Sequence, residues 1–112
     1  MLDRILEAFK SFCRKVKNFF IKIINGILNF FSHVVSYFKG LSLKQGKDVP
    51  WIARRDEFRE MLHNAPVKNV GIFQGTYNEL TDEIENVRDL QADALDQDTI
   101  NILGKEKLVV LN

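Results

Sequence analysis

Two histidines, one cysteine and a scatter of carboxylates are the groups from which this chain could build a reactive or metal-binding site. A zinc centre needs several Cys, His or carboxylate ligands at short, paired spacings. Neither His33 nor His63 has such a neighbour, so no metal is expected. The acidic residues Glu79, Asp82, Glu83, Glu85, Asp89, Asp93, Asp96 and Asp98 alternate with strand and turn residues, as a solvated surface does. Asp93, Asp96 and Asp98 lack the glycine and terminal glutamate of a calcium loop. Gly71 and Gly75 form neither a Walker A loop nor a dinucleotide turn. Arg54, Arg55 and Arg59 are interleaved with Asp56, Glu57 and Glu60, which reads as a self-neutralising face and not a phosphate site. The expectation is a protein that is not an enzyme, with no cofactor and no small-molecule substrate.

The elements that would carry any other function begin with the first forty residues. On a wheel of about 100° per residue their apolar side chains share one arc. It includes Phe9, Phe12, Val16, Phe19, Phe20, Ile23, Ile24, Ile27, Phe30, Phe31, Val34 and Phe38, the residues expected to contact a membrane or partner. Lys10, Arg14, Lys15, Lys17 and Lys22 are the basic residues expected to meet an anionic surface. The pattern predicts a straight helix over 1–40, about 60 Å long at 1.5 Å per residue. The rest of the chain would form a body with a radius of gyration of only about 11 Å. Such a body cannot cover the stripe, so an outside partner is expected to do so.

Charge divides along the same line. Residues 1–47 hold nine Lys/Arg against Asp3 and Glu7, a net of +7, while residues 48–112 hold seven against thirteen acids, a net of −6. This asymmetry points to an anionic partner for one end, or to basic and acidic parts pairing with each other. Lysines and phenylalanines fall on opposite sides of the expected helix, whereas a nucleic-acid platform needs them to converge. Nucleic acid is therefore disfavoured. Cys13, the lone cysteine, lies on the apolar arc and reads as a buried thiol, with palmitoylation the alternative if that face meets lipid.

Residues 41–47 read as a linker and 48–112 as a small acidic α+β domain. Within it, Asp48 to Asn64 predicts a second helix with Trp51 on its apolar face. The segment VKNVGIFQGTYN predicts a strand, ELTDE a turn and EIENVRDLQAD the returning strand of an antiparallel hairpin. Asp93 to Leu103 predicts a short helix capped by Asp96 or Asp98 and stopped by Gly104. KLVVLN predicts a strand that adds to the hairpin. The closing segment has the look of a small bacterial domain and carries no motif.

The fold class expected is thus α+β: a long N-terminal amphipathic helix, then a short helix, a β-hairpin, a short helix and a C-terminal strand. The function expected is a peripheral, membrane-associated protein of the cytoplasm, anchored by its helix and presenting an acidic interaction domain. Its alternative is a structural subunit of a homo- or hetero-oligomeric assembly packed through that helix, with a membrane-spanning, pore-like oligomer as a variant. A lone spanning helix over Phe19 to Phe38 would place Lys22 in hydrocarbon at about 3 kcal/mol, so lying on the surface is favoured.

Overall fold

Val70, Ile72, Gln74 and Thr76 alternate with Gly71, Phe73, Gly75 and Tyr77 along Val70–Asn78, and this segment forms β3, the middle strand of a five-stranded mixed sheet. The computed structural model describes residues 2–16, 20–62 and 66–111. Within them the chain runs through α1 (Leu2–Lys15), β1 (Phe20–Leu28), a π-helical turn (Phe30–Val35), α2 (Ser36–Lys39), β2 (Asp48–Arg54), a 3₁₀ helix (Arg55–Met61), β3, β4 (Glu83–Leu95), α3 (Gln97–Leu103) and β5 (Leu108–Val110). The sheet order is β1-β4-β3-β2-β5. Only the β1–β4 pairing is parallel.

The α+β class is as the sequence implies, and so are the β3–β4 hairpin and α3 with its Asp96 cap. The single helix over 1–40 is not. It ends at Lys15, and Phe20–Leu28 is a strand paired with Arg88 through Leu95 of β4. The sequence FIKIINGIL is rich in β-branched and aromatic residues, which lose side-chain freedom in a helix and suit a pleated surface. Gly26, at a φ of 115°, lies where the β1–β4 register slips between Ile24 and Ile27. One added residue at a bulge lets apolar spacings of three and four occur in a strand, which is how the sequence mimics a helical period.

Two further expectations are corrected. The segment expected as a helix from Asp48 is instead β2 followed by a 3₁₀ helix, because Trp51, Ile52 and Ala53 gain strand partners on both sides. The C-terminal strand joins β2 and not the hairpin, with Trp51, Ile52 and Ala53 opposite Val110, Val109 and Leu108.

Each face of the sheet has its own core. On one, Ile52, Ile72, Leu90 and Ala92 pack with Phe30, Val34, Phe38 and Leu103. On the other, Trp51, Phe73 and Tyr77 pack with Ile5, Phe9, Cys13 and Phe58. Ile5, Phe9 and Cys13 are spaced by four, so one stripe of α1 is inserted. The Phe9 ring lies 4.7 Å from Trp51, 4.9 Å from Phe58 and 5.3 Å from Phe73, centroid to centroid. The longest dimension is 37 Å, well short of the expected rod. A radius of gyration of 13.1 Å equals what a compact chain of this length adopts, about 13 Å. The described residues of the first forty are wrapped into the same body as the rest, and that body shelters most of their apolar side chains.

Candidate interaction sites

The buried polar groups are best understood by what each holds in place. Arg55, at the start of the 3₁₀ helix, directs Nε to both carboxylate oxygens of Asp89 on β4, at 3.0 and 3.1 Å. Gln91 donates to the same carboxylate at 3.0 Å, and its own carbonyl accepts the Val67 and Lys68 amides at 2.7 and 3.0 Å. Burial pushes the Asp89 carboxyl up from its ordinary value, while Arg55 pulls it down without cancelling that rise. The cluster therefore fastens the 3₁₀ helix and the Val67–Lys68 backbone to β4.

On the opposite face, Arg88 lies over the Tyr37 ring at 4.1 Å and donates to Gln74 Oε1 and the His33 carbonyl. Gln74 passes the contact to the Val34 carbonyl at 3.2 Å. Desolvation lowers Arg88 and raises Tyr37 from their ordinary values. At the β1 end, Asp93 accepts the Gly26 amide at 2.8 Å and Asp96 accepts the Phe30 amide at 3.0 Å. These two carboxylates clip the start of the π-helical turn and the bulge to the end of β4. All these side chains position segments of the fold.

Cys13 is buried, and desolvation pushes its thiol up to about 12, so it is a protonated packing group. His33 Nδ1 accepts the Asn29 amide at 2.8 Å and closes the entry to the π-helical turn. His63 lies outside the described residues. Among the described residues no three His, Cys, Asp or Glu side chains converge to hold a metal ion. No described helix is long and apolar enough to cross a membrane.

The side chains expected to meet a partner are distributed by the fold. Phe9, Ile24, Phe30, Val34 and Phe38 are buried, and Phe12, Val16 and Ile23 are half-buried. Phe20, Ile27 and Phe31 remain 69%, 61% and 64% exposed. Phe19 and Lys17 lie outside the described residues. Lys10 pairs with Glu7 at 3.5 Å, and Lys15 borders a hollow shared with Asp82 and Glu83. Arg14 is exposed on α1 and Lys22 on β1, so the described basic residues are divided between two elements.

Among the described residues, two places combine open access with a run of apolar side chains. One is the free side of β1, an edge strand with β4 as its sole neighbour among the described residues. Along it Phe20, Ile21 and Ile27 face solvent, and Lys22 is the one charge within the strand. The other is an apolar hollow of about 440 Å³ between α2, the turn after it and the β2–β5 corner. The period-3.6 reading obscured the first by making an edge strand resemble a helix. The second joins Phe38, Leu43, Pro50 and Leu111 from separate parts of the chain, and no local pattern signals it. Compared with known protein families, curated proteins and solved structures, the chain matches none.

Proposed function

We propose that this chain is a non-enzymatic binding module that takes an extended segment of a partner protein onto the free side of β1. One observation carries the reading: an edge strand with no outer neighbour among the described residues holds three large apolar side chains, Phe20, Ile21 and Ile27, in solvent. An open edge presents a row of backbone donors and acceptors that an incoming strand satisfies, while side-chain contacts supply selectivity. A lipid surface has no such backbone to offer. For that reason a protein partner at the strand edge is preferred over membrane anchoring, which exposed Phe20, Ile27, Phe31 and Lys22 would serve.

The strand also argues for a different chain over a second copy of this one. Symmetric pairing of the five residues before the bulge, Phe20 to Ile24, sets Lys22 against its own counterpart, and like charges directly opposite are destabilising. The register slip at Gly26 stops a longer self-pairing. A strand with an acidic residue facing Lys22 meets neither obstacle. Selection of a displayed heptapeptide library on the full chain tests this. Enriched peptides should alternate β-branched residues with Asp or Glu, and Lys22→Glu should reverse the preference to Lys or Arg. Enrichment without alternation, or indifference to Lys22→Glu, overturns the proposal, as does flotation of the protein on anionic vesicles that Phe20→Glu abolishes.

A further inference from the structure

We infer that the hollow between α2, the 41–47 turn and the β2–β5 corner binds a single-chain amphiphile, an alkyl carboxylate of medium length. It uses no residue of β1 and stands apart from the strand-addition reading. The hollow, about 440 Å³, is lined by Phe30, Val35, Phe38, Leu43, Pro50 and Leu111, with Lys39 as its one charged residue among those described. A second hollow of about 410 Å³ shares Leu43, Pro50 and Leu111 with it, so the two flank the same three side chains. Volumes of this size suit small-molecule sites, which are mostly apolar with a few polar groups that orient the ligand.

The chemistry of the lining selects the ligand. Its walls are hydrocarbon, and the turn satisfies its own backbone through Lys47 N to Lys44 O at 3.2 Å and Asp48 N to Lys44 O at 2.9 Å. An occupant therefore needs a tail that asks for no hydrogen bonds. Charge decides its head. Asp48, the acid of the second hollow, is already engaged by the Lys44 amide at 2.9 Å and by Lys47 at 3.8 Å. Lys39 and Lys44 are exposed and make no ion pair among the described residues. The charge left over at the hollow is positive, which calls for an anionic head. The site is also preformed, since Phe30 and Phe38 belong to the core and Leu111 N is bonded to the Pro50 carbonyl at 2.8 Å.

Octanoate, decanoate and dodecanoate, titrated below their micellar concentrations into the isotope-labelled full chain, provide the test. Affinity should rise roughly fourfold per added methylene, and amide shifts should centre on Leu43 and Leu111. Lys39→Glu should weaken decanoate roughly fivefold or more while leaving 1-decanol unchanged, as loss of one charge contact requires. Leu43→Trp should fill the hollow and abolish both; thermal melting checks that this variant folds, and Lys39→Glu tests the site without altering its walls. Absence of chain-length dependence, shifts centred elsewhere, or equal loss of decanoate and decanol in Lys39→Glu overturns the inference. So does binding to phosphatidylglycerol vesicles by a protein that ignores free decanoate. Lys22→Glu should have no effect here, which keeps this outcome separate from that of the β1 proposal.

Discussion

Replacing Asp89 with leucine strands the Arg55 guanidinium in the core with no counter-charge. The two side chains are 3% and 7% exposed, and the acid holds Arg55 Nε through both oxygens. Breaking a buried pair from one side costs about 3 to 5 kcal/mol, mostly the penalty of the charge left behind. Domains of this length have a total stability of roughly 6 to 17 kcal/mol at 0.05 to 0.15 per residue, so the loss is a large share. At roughly 4 °C per kcal/mol the melting temperature should fall by about 12 to 20 °C. Arg55→Met should cost a comparable amount, because it leaves a buried carboxylate with the neutral Gln91 amide and no counter-charge from Arg55. The double variant should recover most of that loss, since apolar groups of similar volume remove both desolvation penalties, and should stay about 1 to 3 kcal/mol below the parent because the buried Gln91 amide loses the carboxylate it donates to. Urea unfolding of all four proteins measures the coupling directly. The pH profile adds a sign: burial raises the Asp89 carboxyl, so the folded chain holds that proton more readily than the unfolded one. The contribution of this acid is thus most favourable at low pH and declines as pH rises through its folded value, a slope that Asp89→Asn should remove. Single variants that each cost under 1 kcal/mol, or a double variant as unstable as the sum of the two, would refute the reasoning.

Gly75→Ala should destabilise the fold by about 1 to 3 kcal/mol, read from urea midpoints, because a Cβ there would lie 2.8 Å from Trp51 Cζ2 and 3.1 Å from the Glu85 carbonyl. Asp96→Ala should cost about 1 kcal/mol as a lost helix cap, and more if the Phe30 amide also stays unpaired; a change confined to the error of the measurement would remove the cap from the account. Asp93 accepts the Gly26 amide and pairs with Lys68 at 3.2 Å, and these contacts hold its carboxyl below the usual range. Its contribution is therefore present above the ordinary carboxylate value and lost as pH falls through the folded one, so Asp93→Asn should flatten the acid limb of the stability profile.

What the sequence disclosed follows the range of the forces involved. Local signals worked where they were unopposed: alternation over Val70–Asn78, the turn before Glu83, and Asp96 followed by a short helix closed by Gly104. The first forty residues defeated the same method because two periods coincide there. Ile5, Phe9 and Cys13 obey a true helical spacing, whereas Ile24 and Leu28 are buried in a strand that happens to place them four apart. The Asn25–Gly26 pair was the available clue, since Gly26 sits in a backbone region that a helix does not use. Trp51 appeared as one face of a helix, yet its packing against Phe9 comes from a segment far away in sequence. Neither candidate site was legible, for the edge exists only once β1 has a partner on one side, and the hollow only once β5 has docked.

The parallel pairing of β1 with β4 sets an order of events during synthesis. Gly26 meets Asp93 across a separation of 67 residues, so the isoleucine-rich segment emerges from the ribosome long before the strand that receives it. Contacts of such long reach are slow to form, and exposed strand-forming segments aggregate while they wait. A nascent chain stopped before β4 would carry its stickiest stretch uncovered, which makes the N-terminal quarter the part most in need of a chaperone.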